Sequence, residues 1–336
     1  MSVLVSGGAG YIGSHTAIKL HESGRDVVIA DNFSNSSERI IPRLEKLSGC
    51  MVPYERADLC DKAAVERLFN KYSFDSIIHF AALKAVGESV ANPIKYFNNN
   101  LISTLNLLTA MRETGVRNFV FSSSATVYGA PASVPITEDF PLRAVNPYGR
   151  TKLIIEDILR DLKASDVNFN AAILRYFNVV GTHPSGFIGE APCGIPQNLF
   201  PCIAQVAVGK IESLPVYGND YPTRDGTGVR DYIHVQDLAD GHIAALDRLQ
   251  AKGGLLTYNL GTGCGYTVFE VIDAYEKASG KSIPVEVMPR RPGDIAECFA
   301  DASLAKLELG WQAKFSLDDM CRDSWKWQKN NPGGYE

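Results

Sequence analysis

Along the first half of the chain, two kinds of apolar pattern alternate. Short unbroken runs read as strands: Val3-Leu4-Val5, Val27-Val28-Ile29-Ala30, Ile77-Ile78-His79-Phe80, Phe119-Val120-Phe121 and Ala171-Ala172-Ile173-Leu174. Between them lie longer stretches with helical spacing, over about 11–23, 62–71 and 95–114, and one starting near Pro147. In the first of these Ile12, Thr16 and Leu20 share a face, and Gly24 ends the helix. Strands alternating with helices of about ten or more residues predict parallel βαβ units. Strands without polar alternation predict a sheet covered on both faces.

From about Asn178 the pattern breaks down. Gly and Pro become dense between His183 and Pro222, and the loops there carry Arg, Asn and aromatic residues. Loops of such length in a folded chain are usually functional or disordered; this composition favours function. A strand pattern returns at 232–235 and a helical one from Asp237. The expected organisation is an α/β, doubly wound parallel sheet over 1–177, followed by a smaller, loop-rich α+β substrate domain over 178–336. The segment of about 232–250 is expected to return to the first domain. The sequence shows no internal repeat and no low-complexity tract.

Composition narrows the classes. A chain of 336 residues allows two domains, and 45% apolar with 21% charged residues describes an ordinary globular protein. Lys+Arg less Asp+Glu is 33 − 38 = −5, which argues against a nucleic-acid partner, since that needs a basic face. No run of about 18 apolar residues predicts a membrane span. The N-terminus enters a strand-like run at once, without a basic segment or a cleavage site, so no targeting peptide is expected. Seven cysteines with no C-x-x-C spacing fit a reducing, cytoplasmic setting better than a disulfide scaffold. The six histidines form no pair at metal-ligand spacing, so no metal is expected.

The chemistry begins at Gly7-Gly8-Ala9-Gly10-Tyr11-Ile12-Gly13, between the first strand and the first helix. Gly7, Gly10 and Gly13 form a G-x-x-G-x-x-G variant of the dinucleotide fingerprint, in which glycine lets backbone N–H groups approach a pyrophosphate. Asp31 follows 18 residues after Gly13, at the end of the second strand. A carboxylate there accepts bonds from ribose hydroxyls and repels a 2′-phosphate, which favours NAD over NADP. The plain alternative is a strand-to-helix turn with a surface Asp. Asp58-Leu59 falls where an adenine ring would lie, and Phe80-Ala81-Ala82-Leu83-Lys84 leaves its strand on small residues. Taken alone, both are also ordinary loop chemistry.

Tyr148-Gly149-Arg150-Thr151-Lys152 is Y-x-x-x-K. Residues four apart stack on one helix face, so phenol and ammonium point the same way. A free phenol titrates near 10; a neighbouring cation favours the phenolate, and a bound nicotinamide cation adds to this. The pair predicts a general base working near neutral pH. Ser122-Ser123-Ser124 ends the preceding strand, where open α/β sheets place ligands.

With these motifs in hand, the chain resembles the extended short-chain dehydrogenase/reductase superfamily with its Rossmann-type sheet. More narrowly, it is similar to the UDP-galactose (UDP-glucose) 4-epimerase family from end to end. The residues that carry this are Gly7–Gly13, FAALKAVGES from Phe80, SSSATVYG from Ser122, Tyr148–Lys152, RYFN from Arg175, YGNDY from Tyr217, DGTGVRDYIHV from Asp225 and RRPGD from Arg290. The resemblance implies NAD contacts at Tyr11, Ile12, Asp31, Asn32, Asp58, Leu59, Phe80, Ala81, Lys84, Asn99 and Phe177, besides the glycines. It implies a catalytic set of Ser124, Tyr148 and Lys152, which also touch the cofactor. It implies UDP-hexose contacts at Lys84, Ser124, Tyr148, Asn178, Asn198, Leu199, Tyr217, Arg230, Arg291, Asp294 and Cys298. It further implies a homodimer through the helices around 95–114 and 148–164.

Two of these positions also make sense physically. Arg230 and Arg291 offer a diphosphate charge-assisted bonds; the bland alternative pairs Arg230 with Asp231 and Arg291 with Asp294. At Cys298 the family carries either a bulky Tyr or a small residue, so a Cys predicts room for a 2-acetamido group. The bland alternative is a small buried residue. Two other functions stay open: a nucleotide-sugar 4,6-dehydratase, which needs an Asp-Glu pair where Ala125-Thr126 stand here, and a non-catalytic NAD-sensing protein.

Overall fold

The computed structural model describes residues 2–192, 194, 196–291 and 293–335. In chain order the elements are β1 (Ser2–Ser6), α1 (Tyr11–Glu22), β2 (Asp26–Asp31), α2 (Ile40–Ser48), β3 (Tyr54–Arg56), α3 (Lys62–Lys71), β4 (Phe74–His79), α4 (Val86–Ala91) and α5 (Pro93–Thr114). Then come β5 (Asn118–Ser122), α6 (Pro147–Ser165), β6 (Asn170–Tyr176), β7 (Asn178–Val180), α7 (Leu199–Ala207), β8 (Leu214–Tyr217), β9 (Val229–His234) and α8 (Val235–Lys252). The chain closes with β10 (Leu255–Leu260), β11 (Gly265–Tyr266), α9 (Val268–Ser279), β12 (Val285–Met288), β13 (Glu297–Cys298), α10 (Ser303–Leu309) and α11 (Leu317–Asn330).

The apolar runs of the sequence form a seven-stranded sheet in the order β10-β6-β5-β4-β1-β2-β3, parallel at every pairing. Both faces are covered, as unbroken apolar strands require. On one face Ile18 and Leu20 of α1 pack with Leu238 and Leu246 of α8; on the other Leu68, Leu107, Ile155 and Leu159 come from α3, α5 and α6. The strand order reverses between β1 and β4, and ligands of open α/β sheets bind outside the carboxyl ends at such a point. The glycine loop and the loop after β4 both leave the sheet there. In the main chain, Phe80 N–H and Ala81 N–H donate to Ser6 O at 2.9 and 3.1 Å, tying the two loops together.

The second half is built differently. β9 pairs with β7, β11 and β13 in a small sheet, β8 pairs with β12, and α7, α9 and α11 enclose a separate core around Phe200, Ile203, Tyr275 and Met320. Most of the 232–250 segment expected to return to the large sheet does so, as α8 packed against α1. Residues 232–234 belong to β9, and the piece that returns is α8 with β10, which pairs with β6. The helix starts at Val235, two residues before the expected Asp237, because the His234 imidazole accepts from Gln236 N–H at 3.0 Å and caps it. Helix α2, whose Ile40, Ile41 and Leu44 are buried at helical spacing, and the short, largely exposed β3 fall outside the segments expected above.

Candidate active site

The glycine loop is fixed by hard contact at three of its glycines and is tight, though less so, at a fourth. A Cβ on Gly7 would lie 2.7 Å from Ala81 N, one on Gly8 2.7 Å from Val5 O, and one on Gly13 2.3 Å from Gly7 O. Gly7 also holds φ at +69°, a conformation that costs a side chain dearly. At Gly10 the only neighbour within reach is Gly7 O at 3.1 Å. Gly10 caps α1 without a side chain, and the first turn of α1 holds no acidic residue. The N–H groups of that turn form an anion site, and the cradle fits a dinucleotide pyrophosphate. The Tyr11 phenol is spent on Gly181 O at 2.5 Å, which leaves its backbone N–H for that cradle.

Asp31 ends β2 beside this loop. Its Oδ2 accepts from Ala9 N–H at 3.0 Å, and its Oδ1 accepts from Phe33 N–H at 2.8 Å and Ser36 Oγ at 3.0 Å. A carboxylate has about four acceptor positions, so the one left free is on Oδ2, where a ribose hydroxyl can donate. Asn32 is exposed beside it. Asp58 is exposed and turns the chain by accepting from Cys60 N–H at 2.9 Å, while Leu59 is buried. Asn99 lies half-buried next to Cys60. Lys84, exposed at the end of the Phe80–Lys84 loop, reaches across to Glu190 at 3.2 Å.

Tyr148 and Lys152 project from the first turns of α6, whose start is fixed by Pro147 and by Asn146 accepting from Gly149 N–H at 2.8 Å. Both are buried. Lys152 Nζ donates to Ser122 O at 2.7 Å and lies 5.9 Å from the centre of the Tyr148 ring. Ser124 accepts from Thr126 N–H at 3.2 Å and from Thr126 Oγ1 at 3.0 Å, so its own proton is free for another acceptor. The electrostatics correct the sequence argument. Burial pushes the Tyr148 phenol above its ordinary value, and within the protein only the Ser124 hydroxyl draws it down. The same burial pushes Lys152 down to about 7. The ammonium is itself desolvated and turned to a main-chain carbonyl, so the protein's own groups do not supply the depressed phenol that the Y-x-x-x-K spacing predicts.

The second half of the chain carries a polar set of its own. Arg230 on β9 does not pair with Asp231; its Nη1 donates to Val229 O at 2.9 Å. Asp231 is consumed by Thr262 N–H and Oγ1, Gly263 N–H and Ala300 N–H. Arg291 does take the bland partner: its Nε donates to Asp294 at 3.0 Å, and its guanidinium sits 4.6 Å from the centre of the exposed Tyr217 ring. An exposed pair of this kind is worth at most about 1 kcal/mol, which leaves Arg291 free to exchange partners. Asn198 and Leu199 stand at the start of α7, with Asn198 making no side-chain cap. Cys298 is the register partner of Arg230 across the β9–β13 pair. It is half-buried against the cluster of Val127, Tyr128, Ile136 and Phe177, and its thiol is pushed up to about 11 by burial. At that value the Cys298 thiol stays protonated near neutral pH. Asn178, next to Phe177, is exposed.

Several polar residues of the site escaped the sequence reading. Thr126 holds Ser124, and Tyr176 meets Ser122 Oγ at 2.7 Å; both lie inside motifs whose other members had been given roles. Asn100, buried in α5, binds Leu83 N–H and O at 2.8 and 3.1 Å and Thr151 Oγ1 at 3.0 Å, tying the loop after β4 to α6. Three asparagines in succession at 98–100 inside a helix were the available signal.

A glycine cradle at the reversal of a parallel sheet, with Ser, Tyr and Lys on the neighbouring strand end and helix, defines an extended short-chain dehydrogenase/reductase. The family model described as GDP-mannose 4,6 dehydratase matches residues 4–324. The UDP-glucose 4-epimerase of Bacillus subtilis (strain 168) is 58% identical over 336 residues, covering 100% of this chain and 99% of that protein. The human UDP-glucose 4-epimerase is 55% identical over 99% of this chain and 98% of its own length. The crystal structure of UDP-glucose 4-epimerase from Bifidobacterium longum in complex with NAD+ and UDP matches with a TM-score of 0.96 at 54% identity, over 99% of this chain and 100% of that one. The chain belongs to the UDP-glucose 4-epimerase family.

Proposed function

We propose that the protein interconverts UDP-galactose and UDP-glucose by inverting carbon 4 of the hexose, with NAD as its bound cofactor. The observation that carries this reading is a glycine cradle with Asp31 at the reversal of the sheet beside the buried Tyr148–Lys152 pair, supported by Arg230 and Arg291 in the second half of the chain. Gly7, Gly10, Gly13 and the N-terminus of α1 would hold the cofactor pyrophosphate, and Asp31 the adenosine ribose. When bound, NAD supplies the electron-pair acceptor and donor for carbon 4, and a positive ring charge. Tyr148 takes the proton from the sugar 4-hydroxyl, and Ser124 donates a hydrogen bond to the same oxygen. Lys152 holds charge behind the phenol. The 4-keto sugar turns over while Arg230 and Arg291 keep the diphosphate, and Tyr148 returns the proton to the oxygen in its new orientation. Binding energy spent on the nucleotide positions the reacting sugar.

The dehydratase reading needs a carboxyl group after the strand-end serine. Ala125 is too small for that role, and the Thr126 hydroxyl is engaged with Ser124. A sensing protein has no need of a buried Tyr–Lys pair. The small Cys298 side chain favours a pocket that also takes UDP-N-acetylglucosamine and UDP-N-acetylgalactosamine. A homodimer through α5 and α6 is supported by Ile102, Leu105 and Ile154, which are exposed on these two packed helices. Among the described residues no helix is long and apolar enough to cross a membrane, and the six described cysteines are free; both suit a cytoplasmic enzyme. The deciding experiment denatures freshly purified protein and assays the supernatant, while native protein is given UDP-galactose. NAD in the supernatant and UDP-glucose as product are expected. NADP in its place, or no turnover, would refute the proposal.

A further inference from the structure

A buried carboxylate stands one turn beyond Lys152 on α6, and nothing in the mechanism above uses it. Glu156 is fully buried. It accepts four hydrogen bonds: from Ser123 Oγ at 2.6 Å, from Arg175 Nε at 3.0 Å and Nη2 at 2.6 Å, and from Arg160 Nη2 at 2.8 Å. Arg175 goes on to Tyr128 Oη and Glu138 O, both at 3.0 Å. Ser123 is the residue between Ser122, whose carbonyl receives Lys152, and Ser124. We propose that Glu156 is a positioning residue of the reaction: its carboxylate clamps Ser123 from α6 and so holds the strand end carrying Ser124 in register with the helix face carrying Tyr148 and Lys152.

An Arg–Glu pair buried only for stability is replaceable by well-packed apolar residues at little cost. The Ser123 bond and the nearness of Lys152 are not. The groups around Lys152 are Tyr148 and Glu156 on α6, His79 on β4, and Tyr176 on β6 through Ser122. His79 is held near 3 by burial and stays neutral, and both tyrosines are raised. Among the side chains around Lys152, Glu156 is the one that draws the ammonium upward against its desolvation, beside the bond from Nζ to Ser122 O. One side chain therefore places the serine and sustains the charge of the lysine.

The inference rests on the epimerase reading, but its test includes a measurement that needs no substrate. Glu156→Gln and Ser123→Ala are compared with the parent for kcat and KM with UDP-galactose. The titration of Lys152 is followed by NMR of protein labelled at lysine Cε, with Lys152→Met to assign the signal. Glu156→Gln is expected to lower kcat about tenfold or more with KM within about twofold, and to move the Lys152 titration down by about one pH unit. Ser123→Ala is expected to lower kcat several-fold and leave that titration in place. A Glu156→Gln protein with parental kcat, or one whose Lys152 titrates as in the parent, would overturn the proposal. If Glu156→Gln does not fold, Ser123→Ala decides, since it deletes one hydroxyl: parental kcat there overturns the clamp. Absence of turnover in the parent would instead fail the epimerase reading and leave the Lys152 titration to judge Glu156.

Discussion

The two halves of this molecule position their functional groups by opposite means. In the large-sheet region each group leaves the end of a strand or the first turns of a helix, and its neighbours are backbone: Gly13 against Gly7 O, Lys152 on Ser122 O, Ala81 on Ser6 O. In the second half Arg291, Tyr217, Asn198 and Asn178 are exposed, and the ion pair of Arg291 with Asp294 is weak. In the proposed mechanism, proton transfer belongs to the more rigid half, and holding a diphosphate while a sugar turns belongs to the more adaptable half.

The comparison breaks most decisively at Tyr148. Tyr148→Phe removes the base and leaves the shape, so turnover is expected to fall by about 10² to 10⁴ while UDP affinity stays within about twofold. Steady-state rates and calorimetric titration with UDP check this, and near-native turnover would show that the rigid half does not hold the chemistry. Arg230→Met tests the other half. Losing one charge-assisted contact costs about 1.5–3 kcal/mol, seen as KM for UDP-galactose rising roughly 10- to 100-fold, with kcat changing much less. A fall in kcat with unchanged KM would reverse the assignment of roles.

Cys298→Tyr is expected to act more selectively. An added ring in the β9–β13 corner beside Arg230 should remove turnover of UDP-N-acetylgalactosamine and leave UDP-galactose within a few-fold. Equal loss on both sugars, or no N-acetyl activity in the parent, would take Cys298 out of the sugar pocket.

The smallest effect on turnover concerns acid stability. Burial lowers His15 and His79 to about 3 and His242 to about 4, and all three pack on the large sheet or its helices. Unfolded histidine titrates near 6.5. Because the folded values are depressed, this contribution is complete above about pH 6.5 and is lost as pH falls towards 4. Each group removes about 2 kcal/mol by pH 5. Melting temperatures measured from pH 7 to 5 should fall, and His242→Leu should flatten the slope. A slope unchanged in that variant would mean His242 is not neutral in the folded state.

How far the sequence reached differs between the same two halves. It determined the parallel sheet, because unbroken apolar strands between amphipathic helices have one favourable way to bury both faces. It determined the glycine cradle and the Tyr148–Lys152 face, because these rest on spacing within a single turn or helix. Only tertiary structure decided that β10 completes the large sheet from beyond the small domain, that Asp231 serves Thr262 and not Arg230, and that Glu156 reaches Ser123. It also decided that the Tyr148 phenol is raised and Lys152 lowered. Spacing along a helix tells which side chains share a face, but hydrogen-bond partners and burial are set by segments far apart in the chain. Desolvation in particular belongs to the packed molecule and to no residue in it.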